Sequence, residues 1–313
     1  MERPQGLGHA IFRHAFVPLL LALAIGGWAA RAGLERALTA SKLGLGFTTA
    51  ALLASIALIW IVEQLFPANP AWNYNLAADA PRAISRFGRD LFYLTFVTLG
   101  SALLISFGFG RIQEALLAHG FGYDRPTLWP TALPLGLRVA LAFLLVELMS
   151  YWMHRAAHHF RLLWRFHSTH HVITELTGIK AIRTHPVDNL FFHIARSTPL
   201  LLLGAGLEEV NAVVYLGSVL SILAHANIRV SEGVLGWVIN FPGYHQVHHS
   251  AVVSESKSNF GCHTVLWDRV FGTFRSAPVQ PLEIGVAPVG PRSLWQELVA
   301  PDQTDPRGDT RPA

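Results

Sequence analysis

Apolar residues come in long blocks separated by short polar stretches. Residues 15–30 (AFVPLLLALAIGGWAA), 46–66, 91–109 and 131–153 each carry an apolar run near the roughly 20 residues a helix needs to cross about 30 Å of hydrocarbon. The pattern predicts four membrane-spanning helices. The first resembles an export signal, but it ends in WAARAG without a small-residue cleavage site and similar blocks follow, so it is expected to stay as an anchor. Residues 67–89 are polar and rich in Pro and Asn, which predicts a loop or interfacial segment. Between 187 and 228 the chain is apolar again. One limb, LFFHIARSTPLLLLGAG, is broken by His193, Arg196 and Pro199, and the other, VNAVVYLGSVLSILA, is short, which predicts a shallow re-entrant hairpin. After 276 the sequence thins into Pro, Asp, Gly and Arg and is expected to be disordered.

Composition agrees with a membrane protein: 51% of the 313 residues are hydrophobic and 14% charged, against about 25% charged in soluble domains. Mean hydropathy is +0.36 and the pI near 9.5. The basic residues are scattered, which argues against nucleic acid as a partner. One cysteine, Cys262, excludes an intrachain disulfide, a cysteine zinc site, a C-x-x-C-H haem attachment and an iron–sulfur cluster. Any metal must be held by nitrogen and oxygen.

The histidines supply such ligands. YWMHRAAHH sets His154 and His158 one helical turn apart, at the end of the fourth apolar block. FHSTHH gives His167, His170 and His171, and YHQVHHS repeats the spacing at His245, His248 and His249. Adjacent imidazoles such as His170 and His171 project about 100° apart on a helix and reach two different ions. His225, at the returning end of the hairpin, brings a ninth. Nine nitrogens exceed the four that satisfy one zinc and fit two metals. One shared site requires the chain between the clusters to leave and return on the same side. His9, His14, His119 and His193 have no partner by spacing, and His159 lies outside the repeated pattern. His185 and His263 are placed as groups that orient a ligand or line the pocket.

Taken together, Y-W-x-H-R-x-x-H at 151–158, L-W-R-F-H-x-x-H-H at 163–171, R-x-H-P-x-D at 183–188, H-x-N at 225–227, H-x-x-H-H at 245–249, N-F-G at 259–261 and W-D-R-V-F-G-T at 267–273 resemble the fatty acid hydroxylase/sterol desaturase superfamily. The likeness covers residues 147–275. It implies an integral-membrane, non-haem di-iron oxygenase with two Fe ions on the cytoplasmic side, lipid substrates and O₂. Position by position, the family's ligands fall on His154, His158, His167, His170, His171, His245, His248 and His249, with His225 added. Gln246 stands where many members have Arg, and Lys257 where an acidic residue often precedes N-x-G.

Glu147, seven residues before His154 in an apolar block, is an ionisable group at membrane depth and is expected to bond a ligand or line the substrate pocket. Asp188 and Asn227 are expected to act similarly, and Asp268 to be structural. The sequence has no dinucleotide fingerprint after a strand, so electrons are expected from a separate ferredoxin, cytochrome or reductase, meeting a face that carries Arg155, Arg161, Arg165, Lys180 and Arg183. Anionic headgroups of membrane lipids would suit the same residues. The rival reading, a membrane zinc-dependent lipid amidohydrolase, needs about three ligands and leaves most of the imidazoles unexplained. The expected architecture is therefore an all-α integral membrane protein with about four transmembrane helices, a re-entrant helical hairpin and a cytoplasmic His-rich di-metal domain. It divides into N-terminal membrane helices (1–130), a catalytic domain (131–275) and a tail (276–313).

Overall fold

The computed structural model describes residues 7–34, 46–75, 77–277, 282–285 and 293–299, and these contain helices and isolated bridges but no strand. The principal helices are α1 (Leu7–Ala29), α2 (Phe47–Leu65), α3 (Ala80–Phe92), α4 (Thr98–Ala118), α5 (Leu135–Ala157), α6 (Arg161–His171), α7 (Pro186–Leu203), α8 (Leu207–His225) and α9 (Pro242–His248). Short helices α10 (Val253–Ser256), α11 (Leu266–Val270) and α12 (Leu294–Val299) follow. Five stretches among the described residues are long and apolar enough to cross a membrane: Ala10–Ala29, Phe47–Leu65, Ala80–Ala118, Leu135–Ala157 and Leu207–His225. Leu23, Phe96, Leu103 and Phe107 point outward from them, as side chains facing lipid do. The chain is a multi-pass integral membrane protein.

Two expectations change. Residues 80–89, read as part of a loop, are helical, because Asp79 caps the first turn through Arg82 N–H and Pro81 sits where its missing donor costs nothing. A π-helical turn, Tyr93–Val97, joins α3 to α4. The hairpin exists, but it is not shallow. α7 and α8 are 18 and 19 residues long, and their turn is bonded to the loop before α5: Asp124 N–H donates to Ala205 O and Trp129 N–H to Leu203 O. The hairpin therefore spans the same height as α5. The sequence understated α8 because its first turn is acidic, yet Glu209 is buried there, 2.5 Å from Arg138 at the start of α5. At the turn, Gly204 has φ +74°, and a Cβ there would lie 2.0 Å from Arg125 O, so only glycine fits.

The expected tail also contains ordered structure. In α12, Glu297 is buried and bonded to Arg183 (2.5 Å), Tyr93 Oη–H (2.7 Å) and Arg89 (2.8 Å). Residues 278–281, 286–292 and 300–313 of that tail lie outside the described residues.

Helix ends sort to the two faces of the bundle. Arg31, beyond the end of α1, pairs with Glu208 at the start of α8, and the start of α1 meets the end of α2 through stacked Phe12 and Phe66. The beginning of α1 and the ends of α2, α5 and α8 thus share one face with α6 and α9.

Candidate metal centre

The clustered histidines sit at the C-terminal ends of their helices, all but His167 in or just beyond the last turn: His154 and His158 on α5, His167, His170 and His171 on α6, His225 on α8, and His245, His248 and His249 on α9. Helix C-termini carry partial negative charge, which favours cations there. All nine side chains are buried. They form two groups: His154, His158, His167, His171 and His248 in one, His170, His225, His245 and His249 in the other. Each pair of sequence neighbours is divided, so His170 and His171, like His248 and His249, serve different groups.

Ring nitrogens define the chemistry. In the first group, His171 Nε2 lies 3.0 Å from His158 Nε2 and 3.1 Å from those of His167 and His248. In the second, His225 Nε2 lies 3.1 Å from His170 Nε2 and 2.9 Å from His245 Nε2, which is 3.1 Å from His249 Nε2. In five of the rings the opposite nitrogen faces outward to a fixed partner, whereas Nδ1 of His171 and of His249 is buried without one. His154 Nδ1 donates to Phe260 O (2.6 Å), His170 to Arg183 O (3.2 Å), His225 to Ser221 O (2.8 Å) and His248 to Ser258 O (2.8 Å). His167 Nδ1 donates to the Asp188 carboxylate at 3.0 Å.

A carbonyl oxygen only accepts, so Nδ1 carries the proton in these rings and each neutral ring turns a lone pair inward. Burial, and then the neighbouring imidazoles, holds His158, His170, His171, His245 and His249 well below the ordinary histidine range, and burial pushes His248 down to about 3. The facing Nε2 lone pairs of His170 and His225, 3.1 Å apart, repel one another. His154 Nε2 is buried with no hydrogen-bond partner at all. A cation in each group resolves both features, and outer hydrogen bonds of this kind orient metal-bound histidines. The residues fit two metal ions with all-imidazole ligands.

The remaining expected site residues lie elsewhere. Glu147 touches no clustered histidine: it accepts from His263 Nδ1 (2.5 Å), His263 N–H (3.0 Å) and Thr264 N–H (2.9 Å), tying α5 to the 259–264 turn. Both nitrogens of His185 serve the backbone. Nδ1 caps α7 by accepting from Val187 N–H, and Nε2 donates to Leu298 O. Asn227 anchors the loop after α2, accepting from Asn69 N–H and donating to Asn69 O and Asn73 Oδ1. The hydrogen bonds of these three run to groups other than the clustered histidines. Asp188 bonds a clustered histidine directly, while Asp268 accepts from Phe260 and Gly261 N–H and shapes the turn that presents the Phe260 carbonyl. His159, His14 and His119 are exposed. Lys180 and Arg183 are buried in ion pairs, Lys180 3.6 Å from Asp90 and Arg183 2.5 Å from Glu297, which removes them from the expected docking face.

Sequence reading missed Glu63. It is buried at the end of α2, where Oε1 accepts from both Gly178 N–H and Asn227 N–H at 2.7 Å, joining the segments that follow α6 and α8. Its signal was an ionisable residue at the edge of an apolar span.

The fold and site define a multi-pass, all-helical membrane protein with a buried polyhistidine cluster in two groups, each of which could hold a metal ion. Residues 139–273 match the family model for fatty acid hydroxylase. The chain is 29% identical over 253 residues to an ornithine lipid hydroxylase of Rhizobium tropici, covering 80% of this chain and 73% of that one. It is 28% identical over 134 residues to an alkylglycerol monooxygenase of Xenopus tropicalis, covering 43% of this chain and 30% of that one. A putative Delta(7)-sterol-C5(6)-desaturase 2 of Arabidopsis thaliana is 28% identical over 170 residues, 52% of this chain and 57% of the relative. No solved structure matches the chain at a significant level. Over residues 139–273 the chain is thus similar to the fatty acid hydroxylase/sterol desaturase superfamily, and the relatives named here are oxidoreductases. These relatives give the amidohydrolase reading no support.

Proposed function

We propose that the chain is a membrane di-iron oxygenase that hydroxylates a lipid, using O₂ and electrons from a separate donor, with its histidine face toward the cytoplasm. The carrying observation is the convergence of nine imidazoles in two buried groups, five of them with an outward partner for Nδ1. Imidazole donors suit iron, zinc or copper alike, and it is the oxidoreductase relatives that favour iron. Two bound irons would supply O₂ activation and so the oxidising power to insert oxygen into an unactivated C–H bond; the remaining oxygen atom leaves as water with two electrons and two protons. The protein's own part is to hold the imidazoles neutral and oriented, through Asp188 and the carbonyls of Phe260, Arg183, Ser221 and Ser258. Burial keeps bulk water from the reacting atoms, and the adjoining apolar helices give a lipid a lateral route in. Hydroxylation is favoured over desaturation because the likeness to the ornithine lipid hydroxylase spans 253 residues, membrane helices included, whereas that to the sterol desaturase spans 170.

Purified anaerobically, the protein should hold close to two irons per chain, and His170→Ala and His248→Ala should each lose metal and lipid-oxidising activity together. One zinc per chain, with activity restored to the stripped protein by zinc alone, would sink this reading.

A further inference from the structure

A cavity of about 510 Å³ lies on the histidine face, between α1 and the loops that follow α2 and α8. Its walls include Trp72, Ile228 and Phe241, and with them the charged Arg13, Arg229 and Glu232 and the polar Gln246. Its height is set by three span ends: Ala10 opens the apolar stretch of α1, Leu65 closes that of α2 and His225 closes that of α8. Arg13, Trp72 and Ile228 stand a few residues from those ends, where hydrocarbon gives way to headgroups. The metal centre adjoins it, for Ile228 follows His225 by three residues and Gln246 follows His245 directly.

Of the charged groups in this cavity, Arg229 has an interaction elsewhere and Arg13 is incompletely matched. Arg13 carbonyl oxygen accepts from Ser231 N–H (2.7 Å), but among the described residues its guanidinium has no hydrogen bond or ion pair, and Nε is buried without a partner. A guanidinium held in a partly desolvated, aromatic-walled cavity calls for a planar or tetrahedral oxyanion. Glu232 lines the same cavity. Its Oε2 accepts from Tyr244 Oη–H at 2.5 Å, which fixes the carboxylate and leaves Oε1 for a cation. A neutral headgroup such as a sterol hydroxyl satisfies neither charge.

We propose that this cavity is a headgroup subsite in which Arg13 binds the anionic group of a zwitterionic lipid and Glu232 its ammonium group, so that the lipid presented to the metal centre carries both charges. The proposal rests on the reading of the chain as a lipid oxygenase and narrows its substrate class. Its volume falls within the range of small-molecule sites and leaves the acyl chains outside, against the membrane helices.

The test is a binding titration of the metal-loaded full chain in non-ionic detergent, followed by native mass spectrometry, with dioctanoyl phosphatidylethanolamine, dioctanoyl phosphatidate and dioctanoylglycerol. Phosphatidylethanolamine should bind at least tenfold tighter than dioctanoylglycerol, and equimolar inorganic phosphate should not displace it. Arg13→Ala should remove that preference with metal content unchanged, Arg13→Lys should recover part of it, and Glu232→Gln should erase the preference over phosphatidate. Equal binding of dioctanoylglycerol, an unaffected Arg13→Ala protein, displacement by inorganic phosphate, or an unchanged phosphatidylethanolamine-to-phosphatidate ratio in Glu232→Gln would each overturn it. Because no turnover is required, a protein that binds as stated yet carries no iron would overturn the oxygenase reading while supporting the subsite.

Discussion

The outer hydrogen bonds of the histidines differ in kind, and the difference has a consequence at single residues. Four of the rings donate Nδ1–H to backbone carbonyls, which no side-chain substitution removes. His167 instead donates to Asp188, whose second oxygen is buried and unpartnered. That carboxylate fixes the tautomer and orientation of His167, and losses of such partners typically cost about 10–100-fold in metal affinity. Asp188→Ala should therefore release iron to a competing chelator at a concentration about 10–100-fold lower than wild type, while Asp188→Asn, which can still accept through its amide oxygen, should fall between them. Identical chelator curves for all three proteins would show that His167 needs no orienting partner. The grouping of the histidines was legible in the sequence because spacing on a helix fixes direction: i and i+4 share a face, and neighbours diverge. Their carbonyl partners were not, since a backbone oxygen has no signature in the sequence and Phe260 and Ser258 reach the site only through tertiary folding.

Among the elements, helix length and type were legible where apolar runs were long, and illegible where buried charge interrupts them. α8 begins with Glu208 and Glu209, and only its pairing with Arg138 lets that turn enter the bundle. α12 is the stronger case. Its six residues are too few to be stable alone, and Trp295 and Val299 remain exposed. What holds it is Glu297, together with Leu298 O accepting from His185 and Glu297 O accepting from Thr169 Oγ1–H. This latch closes on the metal centre's support, because Arg183 gives its guanidinium to Glu297 and its carbonyl to His170. Glu297→Ala leaves Arg183 and Tyr93 without their shared partner; removing one member of a buried pair costs about 3–5 kcal/mol. A lower thermal midpoint in detergent is expected, together with weaker retention of the metal in the His170 group. Glu297→Gln, which keeps an acceptor for Tyr93, should lose less. If Glu297→Ala melts like wild type, α12 is an ornament of the fold rather than a latch.

At the scale of the whole molecule, the two H-x-x-H-H repeats can build one site only if they lie on the same side of the membrane, and the full-height hairpin makes that demand consistent. α5 runs from the far face to the histidines, α7 runs back to a turn bonded to the 122–131 loop, and α8 returns to His225. The charge pattern is a weak guide here. Arg155, Arg161 and Arg165 follow α5, but Arg31 follows α1 on the opposite face, and Arg36 and Lys42 come next in the sequence, so the basic-residue bias of cytoplasmic loops is split. Metal ligation should decide, because nine buried imidazoles separated into two compartments would have no common ion to neutralise their facing lone pairs. Arg161, Ser254 and Thr131 are exposed and suit a labelling test, whereas Ser168 and Ser250 are buried and would stay silent for the wrong reason. Single cysteines at 161, 254 and 131, in a Cys262→Ser background, should be treated with a membrane-impermeant thiol reagent in intact cells and again after the membrane is opened. Cysteine 131 should label at once and 161 and 254 only after opening, which sets the histidine face toward the cytoplasm. Labelling of 161 and 254 from opposite sides would break the single-site arrangement, and labelling of both in intact cells would keep the site but reverse its orientation.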